Sequence, residues 1–207
     1  MNGDRPLVAI VDDDLSVLSS LARLLEIHGL RATTFSSGER LLATVERLAP
    51  DCIVADLSMP GLNGLDLQRR LAESDVTRPI VFITGHGDIR SSVQAMRAGA
   101  VDFLTKPFDQ DELLRAVRHA LGRAQEARET SERLEHVRQR IASLTLRERQ
   151  VFERVVLGHL NKQIAADLGI SEKTVKVHRA RVMRKMFVKS VAQLARIAEQ
   201  LGVDRSD

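Results

Sequence analysis

Three carboxylates stand side by side in VDDD, residues 11–14, directly after the apolar stretch LVAI. Like charges this close raise each other's pKa and destabilise a site unless a cation or proton relieves them. Three other polar residues also end or follow apolar runs: Asp56 after CIVA, Thr84 after IVFI, and Lys106 shortly after VDFL. Carboxylate oxygens held together, with room for water and phosphate oxygens, suit a hard divalent ion such as Mg²⁺. A hydroxyl and an ammonium beside them would contact the oxygens of an anion. Asp, Asp, Mg²⁺, Asp, Thr and Lys in one place are machinery for an aspartyl phosphate. One carboxylate attacks while metal and lysine neutralise charge. Asp14 precedes LSVLSSLARLL and reads as the N-cap of a helix, so two of the three adjacent aspartates are chemical and one is structural.

The elements that must bring these residues together alternate in type. Strand-like runs lie at 7–11, 32–35, 52–55, 80–84 and 101–104, with amphipathic stretches near 15–27, 38–48, 64–73, 89–98 and from 109 onward. Gly29, Pro50, Pro79 and Gly99 punctuate the joins. Near-continuous Val/Ile/Leu strands separated by helices mean a parallel sheet covered on both faces. Five such units fit an α/β doubly wound, flavodoxin-like sheet. Its order 2-1-3-4-5, taken by fold analogy rather than from spacing, puts the switch point between strands 1 and 3. Asp12, Asp13 and Asp56 then share one edge with Thr84 and Lys106. A cis bond before Pro107 would aim Lys106 back into that pocket.

VDDD, ADLSMPGLNG, Thr84 and FLTKPF, in that order, resemble the receiver domain of two-component response regulators over roughly residues 5–121. The resemblance implies Asp56 as phosphoacceptor, with Lys106 and Thr84 beside it, and Thr84 and Phe103 as switch residues. It implies Mg²⁺, or another divalent cation such as Mn²⁺, held by Asp12, Asp13, Asp56 and the main-chain carbonyl of Ser58. Singly, Asp56 could cap a loop and Lys106 could be a solvated charge; the ordered set is what is specific. Gly61 and Gly64 read as turn formers rather than a phosphate cradle. His86 in TGHGD reads as neither metal ligand nor base.

A chain of 207 residues can hold two small domains, each with its own core. No apolar run approaches a membrane span and no secretory leader is evident, so the expected setting is cytoplasmic. The single cysteine, Cys52, excludes an internal disulfide and reads as a core residue. The net charge of +3 conceals an asymmetry. Residues 1–121 carry 13 Lys/Arg against 17 Asp/Glu, whereas residues 144–207 carry 13 against 7. An acidic half and a basic half suggest different partners, nucleic acid for the basic one.

Residues 122–143 read as a helical linker, with Arg and Glu interleaved at helical range and Gly122 as its weak point. A solvated spacer and a dimer contact are both open for it. Residues 144–207 read as an all-α helix-turn-helix unit. Thr145 and Glu148 form a capping box, Gly169 makes the turn, and Ser171 caps a second helix rich in Lys and Arg. Lys173, Lys176, Arg179, Arg181, Arg184 and Lys185 crowd that helix, which fits a major groove. Met183 and Met186 read as core.

LTLRERQVF, NKQIA and ISEKTVKVHRARVMRKM resemble the LuxR-type DNA-binding domain over about 139–203. Together the two halves resemble the NarL/FixJ group. That resemblance implies a transcriptional regulator rather than an enzyme, with Mg-dependent self-phosphorylation and self-dephosphorylation as its only chemistry. The implied partners are a sensor histidine kinase, promoter DNA and, on phosphorylation, a second copy of the chain. Lys176, Val177 and Ala180 are expected at bases, with Lys173, Thr174, Arg181 and Arg184 also on DNA. Ala180 stands where some members carry a long polar residue, leaving at most an apolar contact to a thymine methyl. The dimer surface is expected near Val93, Arg97 and Val101. Two rival classes fit less well. An acid-metal phosphatase lacks its second aspartate in Asp56-Leu57-Ser58, and a ligand-binding sensor lacks aromatic lining, with no Trp or Tyr in the chain.

Overall fold

The computed structural model describes residues 5–74, 78–85 and 89–200. The strands are β1 (Leu7–Val11), β2 (Arg31–Phe35), β3 (Cys52–Asp56), β4 (Ile80–Thr84) and β5 (Asp102–Thr105). Between them run α1 (Leu15–Ile27), α2 (Gly38–Leu42), α3 (Val45–Leu48), α4 (Gly64–Glu73) and α5 (Ile89–Arg97). The long α6 (Gln110–Ala142) follows, then α7 (Leu146–Val156), α8 (Asn161–Leu168), α9 (Glu172–Lys185) and α10 (Val191–Gln200). Two compact units divide between Ala127 and Arg128.

In the first unit all strand pairs are parallel and the order is β2-β1-β3-β4-β5. The two-residue period of a strand splits its side chains between two cores. Val8, Ile10, Cys52, Val54, Val81 and Ile83 pack against Leu18, Leu21 and Leu25 of α1 and Leu113 and Val117 of α6. Ala9, Val11, Ile53, Ala55 and Phe82 pack on the other face, against Leu41, Val45, Leu67, Leu71 and Ala95. Cys52 is fully buried, as its apolar run requires. Each strand end thus emerges from a sheet held on both sides.

One expected helix divides. The stretch 38–48 forms α2 and α3 separately, because Thr44 leaves helical geometry with φ −131° and turns its hydroxyl onto the carbonyls of Arg40 and Leu41. Such side-chain bonding competes with the helical ladder. Asp14 caps α1 as expected, its carboxylate accepting from the amides of Ser16 and Val17.

In the second unit Val137 and Ile141, on the last turns of α6, join Val151, Phe152, Ile164, Val175, Val182 and Met186 in one core. The end of the expected linker stretch therefore belongs to this core, while residues 126–133 of α6 are exposed. Gly169 (φ 65°) ends α8 in the left-handed region and Ser171 caps α9. The Thr145–Glu148 capping box is present.

Candidate functional site

β1 and β3 are neighbours, so their C-terminal ends deliver Asp12, Asp13 and Asp56 to one edge. One oxygen from each of these carboxylates lies within 4.8 Å of the others. Asp12 is 2% exposed and Asp56 8%, whereas Asp13 faces solvent. Thr84 sits one residue beyond Ile83, the partner of Asp56 in the β3–β4 register, and is 1% exposed. Its carbonyl accepts from the Lys106 amide at 2.7 Å. The Lys106–Pro107 peptide is cis.

Lys106 Nζ donates to Asp12 Oδ2 at 3.0 Å and to Asp56 Oδ2 at 2.8 Å. The opposite oxygens are also bonded: Asp12 Oδ1 accepts from the Asp14 amide at 2.8 Å, and Asp56 Oδ1 from the Ser58 amide at 3.0 Å. Burial raises the pKa of Asp12 above the ordinary aspartate value, against the opposing effects of the Asp14 amide and Lys106. For Lys106, burial disfavours the ammonium, but the hydrogen bonds it donates to Asp56 and Asp12, with their negative charge, outweigh it and raise the pKa. One lysine thus serves three close carboxylates. Their hard oxygens, in excess of local positive charge, fit a divalent cation, with Asp12, Asp13 and Asp56 as the side chains that would hold it.

Gly64 has a role other than the turn expected for it. A Cβ there would stand 2.8 Å from the Asp56 carbonyl oxygen and 2.9 Å from both Leu57 Cα and Phe82 Cε1. It permits α4 to approach the strand that carries Asp56. Gly61 is the turn former, with φ 76°. Spacing alone offered no signal for that close approach. Phe103 is half-buried against the core that also holds Phe82, its strand neighbour. Of the expected dimer surface, Val93 and Arg97 on α5 are exposed, but Val101 is 7% exposed and packs into the α1/α6 core. Its side chain is therefore an internal residue, because the residue opening the β5 segment feeds the sheet. His86 lies outside the described residues.

In α9 the helical period separates two faces. Val175, Val182 and the C-cap Met186 are buried, while Lys173, Lys176, Val177, Ala180, Arg181 and Arg184 are exposed. Thr174 is half-buried, with its hydroxyl 2.8 Å from that of Ser171. Two cations of the same helix serve the fold instead. Arg179 Nη1 donates to Asn161 Oδ1 at 2.7 Å, joining α9 to α8. Lys185 Nζ donates to Glu148 Oε2 at 2.6 Å and to the Ser143 carbonyl at 2.9 Å. That lysine, first among several causes, lowers the pKa of Glu148 to about 2.

The sheet order and the acidic edge define a receiver-type unit, and the capped helix pair defines a helix-turn-helix unit. The family description "Response regulator receiver domain" matches residues 8–118, and "Bacterial regulatory proteins, luxR family" matches 142–198. Response regulator protein TmoT of Ectopseudomonas mendocina is 47% identical over 201 residues, covering 97% of this chain and 91% of its own length. Transcriptional regulatory protein FixJ of Azorhizobium caulinodans is 45% identical over 200 residues, covering 97% and 95%. Among solved structures, response regulator StyR matches with a TM-score of 0.83 at 43% identity, covering 95% of this chain and 99% of that one. The chain belongs to the response regulators of the NarL/FixJ group and has the architecture of a two-component transcription factor. A receiver implies a histidine kinase as partner, and a LuxR-type unit implies DNA. Among the described residues no helix is long and apolar enough to cross a membrane.

Proposed function

We propose that Asp56 accepts a phosphoryl group from a sensor histidine kinase, and that this event promotes dimerisation and promoter binding. The observation that carries the reading is Lys106 bridging Asp12 and Asp56, at 3.0 and 2.8 Å, inside a carboxylate cluster. An Asp56 oxygen attacks phosphorus, the bond from phosphorus to the donor breaks, and its electron pair leaves with the donor. Lys106 keeps its proton and balances charge on the transferred oxygens. Asp12, Asp13 and Asp56, with the Ser58 carbonyl, would hold Mg²⁺ or Mn²⁺. That ion supplies positive charge to the phosphoryl oxygens and relieves the carboxylates' repulsion. The same pocket, with water in place of the donor, supports slow self-dephosphorylation. The protein is a regulator rather than an enzyme acting on a separate substrate.

Thr84, drawn to a phosphoryl oxygen, frees space into which the half-buried Phe103 turns. The affected surface lies around α5, with Val93 and Arg97 exposed on it. On DNA, Lys176, Val177 and Ala180 face bases while Lys173, Thr174, Arg181 and Arg184 complete the footprint. Asp56→Asn should abolish labelling by a small phosphodonor with Mg²⁺. Labelling that persists in this variant would assign the phosphoryl group to another residue.

A further inference from the structure

The second unit carries a basic hollow of which the reading of α9 uses only Arg184. Residues lining it include His136, Arg140 and Ser143 of the α6 end and its exit, and Arg184, Lys185 and Phe187 at the end of α9. Its volume is about 490 Å³. Phe187 stands in the left-handed region, φ 56°, where a side chain with a Cβ is disfavoured. It is nevertheless 78% exposed, so burial of its ring does not compensate. The Arg140 guanidinium carbon lies 4.8 Å from the ring centroid, a cation–π stack. The left-handed residue is the stop of α9, where the Phe187 and Val188 amides close back on the Arg184 and Met183 carbonyls. The exposed ring stacked under Arg140, at the rim of an open basic hollow, is the feature that this stop presents to a ligand.

The chemistry selects the ligand. Among the described residues no acidic side chain lines the hollow, although Glu129 and Glu132 line a neighbouring one that shares His136 and Arg140. Lys185 is committed to Glu148, which leaves the guanidinium groups of Arg140 and Arg184 for an anion. Lys173, Lys176, Ala180 and Arg184 recur along one exposed side of α9, and Phe187 follows Arg184 by three residues. The 14 residues of α9 span roughly 21 Å, against a major groove about 12 Å wide. A helix whose first turns read bases carries its last turn out over the sugar–phosphate backbone.

We propose that this hollow is a second DNA contact: Arg140 binds a backbone phosphate flanking the groove, held in place by Phe187, whose ring packs on the adjacent sugar. The proposal rests on the DNA-binding reading above. A backbone contact is independent of sequence, so a random-sequence duplex of about 30 base pairs serves as probe. Binding of the full-length protein would be titrated against salt. Arg140→Gln should flatten the slope of log affinity against log salt by about one. Phe187→Gly should weaken binding roughly threefold or more while leaving the thermal midpoint unchanged or raised, since glycine accepts the left-handed backbone. The double variant should lose less than the sum of the two single losses, because the ring acts in part through the guanidinium.

Unchanged slope and affinity in Arg140→Gln, with wild-type binding intact, would overturn the proposal and spare the DNA-binding reading. Absence of any duplex binding by the wild type would overturn both. Sedimentation provides the remaining arm. If Phe187→Gly changes self-association and leaves duplex affinity unchanged, the patch is a contact between copies and the proposal fails.

Discussion

The two units place buried carboxylates beside a lysine and use them for opposite ends. In the second unit the count is balanced. Glu148, 3% exposed, faces Lys185 at 2.6 Å and also closes a helix cap through the Thr145 amide at 2.9 Å. In the first unit Lys106 faces Asp12 and Asp56 with Asp13 close by, so negative charge exceeds positive. A pair whose charges cancel, with Lys185 and the Thr145 amide both on Glu148 Oε2, locks a structure. An unbalanced cluster stores repulsion that a cation or a modification can relieve. The difference teaches where to look for regulation: at the carboxylates that the fold leaves short of positive charge, although each oxygen of Asp12 and Asp56 is hydrogen-bonded.

The largest expected effect couples the two regions. A receiver whose excess charge is relieved by a beryllofluoride complex with Mg²⁺ should dimerise. Once one unit is on its half-site, the second contact becomes intramolecular, so operator affinity should rise about 10²- to 10⁴-fold. Sedimentation and operator titration with and without the mimic test this. Unchanged mass alongside unchanged affinity would remove dimerisation from the mechanism.

A smaller effect breaks the balanced side. Lys185→Met would leave the Glu148 carboxylate buried without its cation. Because Lys185 itself is about one-third exposed, the loss should be about 2–3 kcal/mol rather than the larger figure for a fully buried pair. Urea unfolding followed by a probe in the second unit measures it. Glu148→Gln/Lys185→Met together should recover part of the loss; additive losses would show that the pair is not coupled.

How much of this contrast was legible beforehand follows from distance along the chain. The strand ends carrying Asp12, Asp56 and Thr84 could be read from apolar runs, and the Thr145–Glu148 box from a three-residue spacing. The order of the strands came only from fold analogy, because parallel crossovers leave no local trace in sequence. Lys185 could only be counted among the cations of its helix, because helix composition does not reveal which side chain meets a partner 37 residues away. Gly64 looked like a turn former for the same reason: its contact is Asp56 and Phe82, brought near by packing. Val101 was misplaced because an apolar residue beside a surface helix can belong to either side.

Acid should separate the two units in sign. Glu148 has a folded pKa near 2 against an ordinary 4.5, so the unfolded state binds more protons between those values. Its contribution is fully present above about pH 4.5 and is lost as pH falls toward 2, amounting to about 2–3 kcal/mol. Asp12 is shifted the other way by burial, so in the window just above its ordinary 3.8 the folded state holds the extra proton. There its contribution favours the fold as pH falls. Without added divalent ion, mild acidification should therefore weaken the second unit before the first. Unit-specific probes across that window check the order, and Glu148→Gln should flatten the response of the second unit alone.

The smallest effect probes the excess itself. Asp13 is the exposed member of the cluster, so removing its charge creates no cavity and strips no buried hydrogen bond. With its carboxylate oxygen within 4.8 Å of those of Asp12 and Asp56, each repulsion across water-like surroundings costs about 1 kcal/mol. Removing both repulsions, Asp13→Asn should stabilise the ion-free receiver by about 1–2 kcal/mol, whereas truncating a balanced pair costs stability. The same substitution removes a ligand, so the gain in melting temperature that Mg²⁺ gives the wild-type receiver should shrink or vanish in the variant. Thermal melts in chelator and in millimolar Mg²⁺ read both quantities. A variant less stable than wild type in chelator would mean that Asp13 is held by favourable contacts, and that the first unit's acidic edge is no more strained than the Glu148 pair.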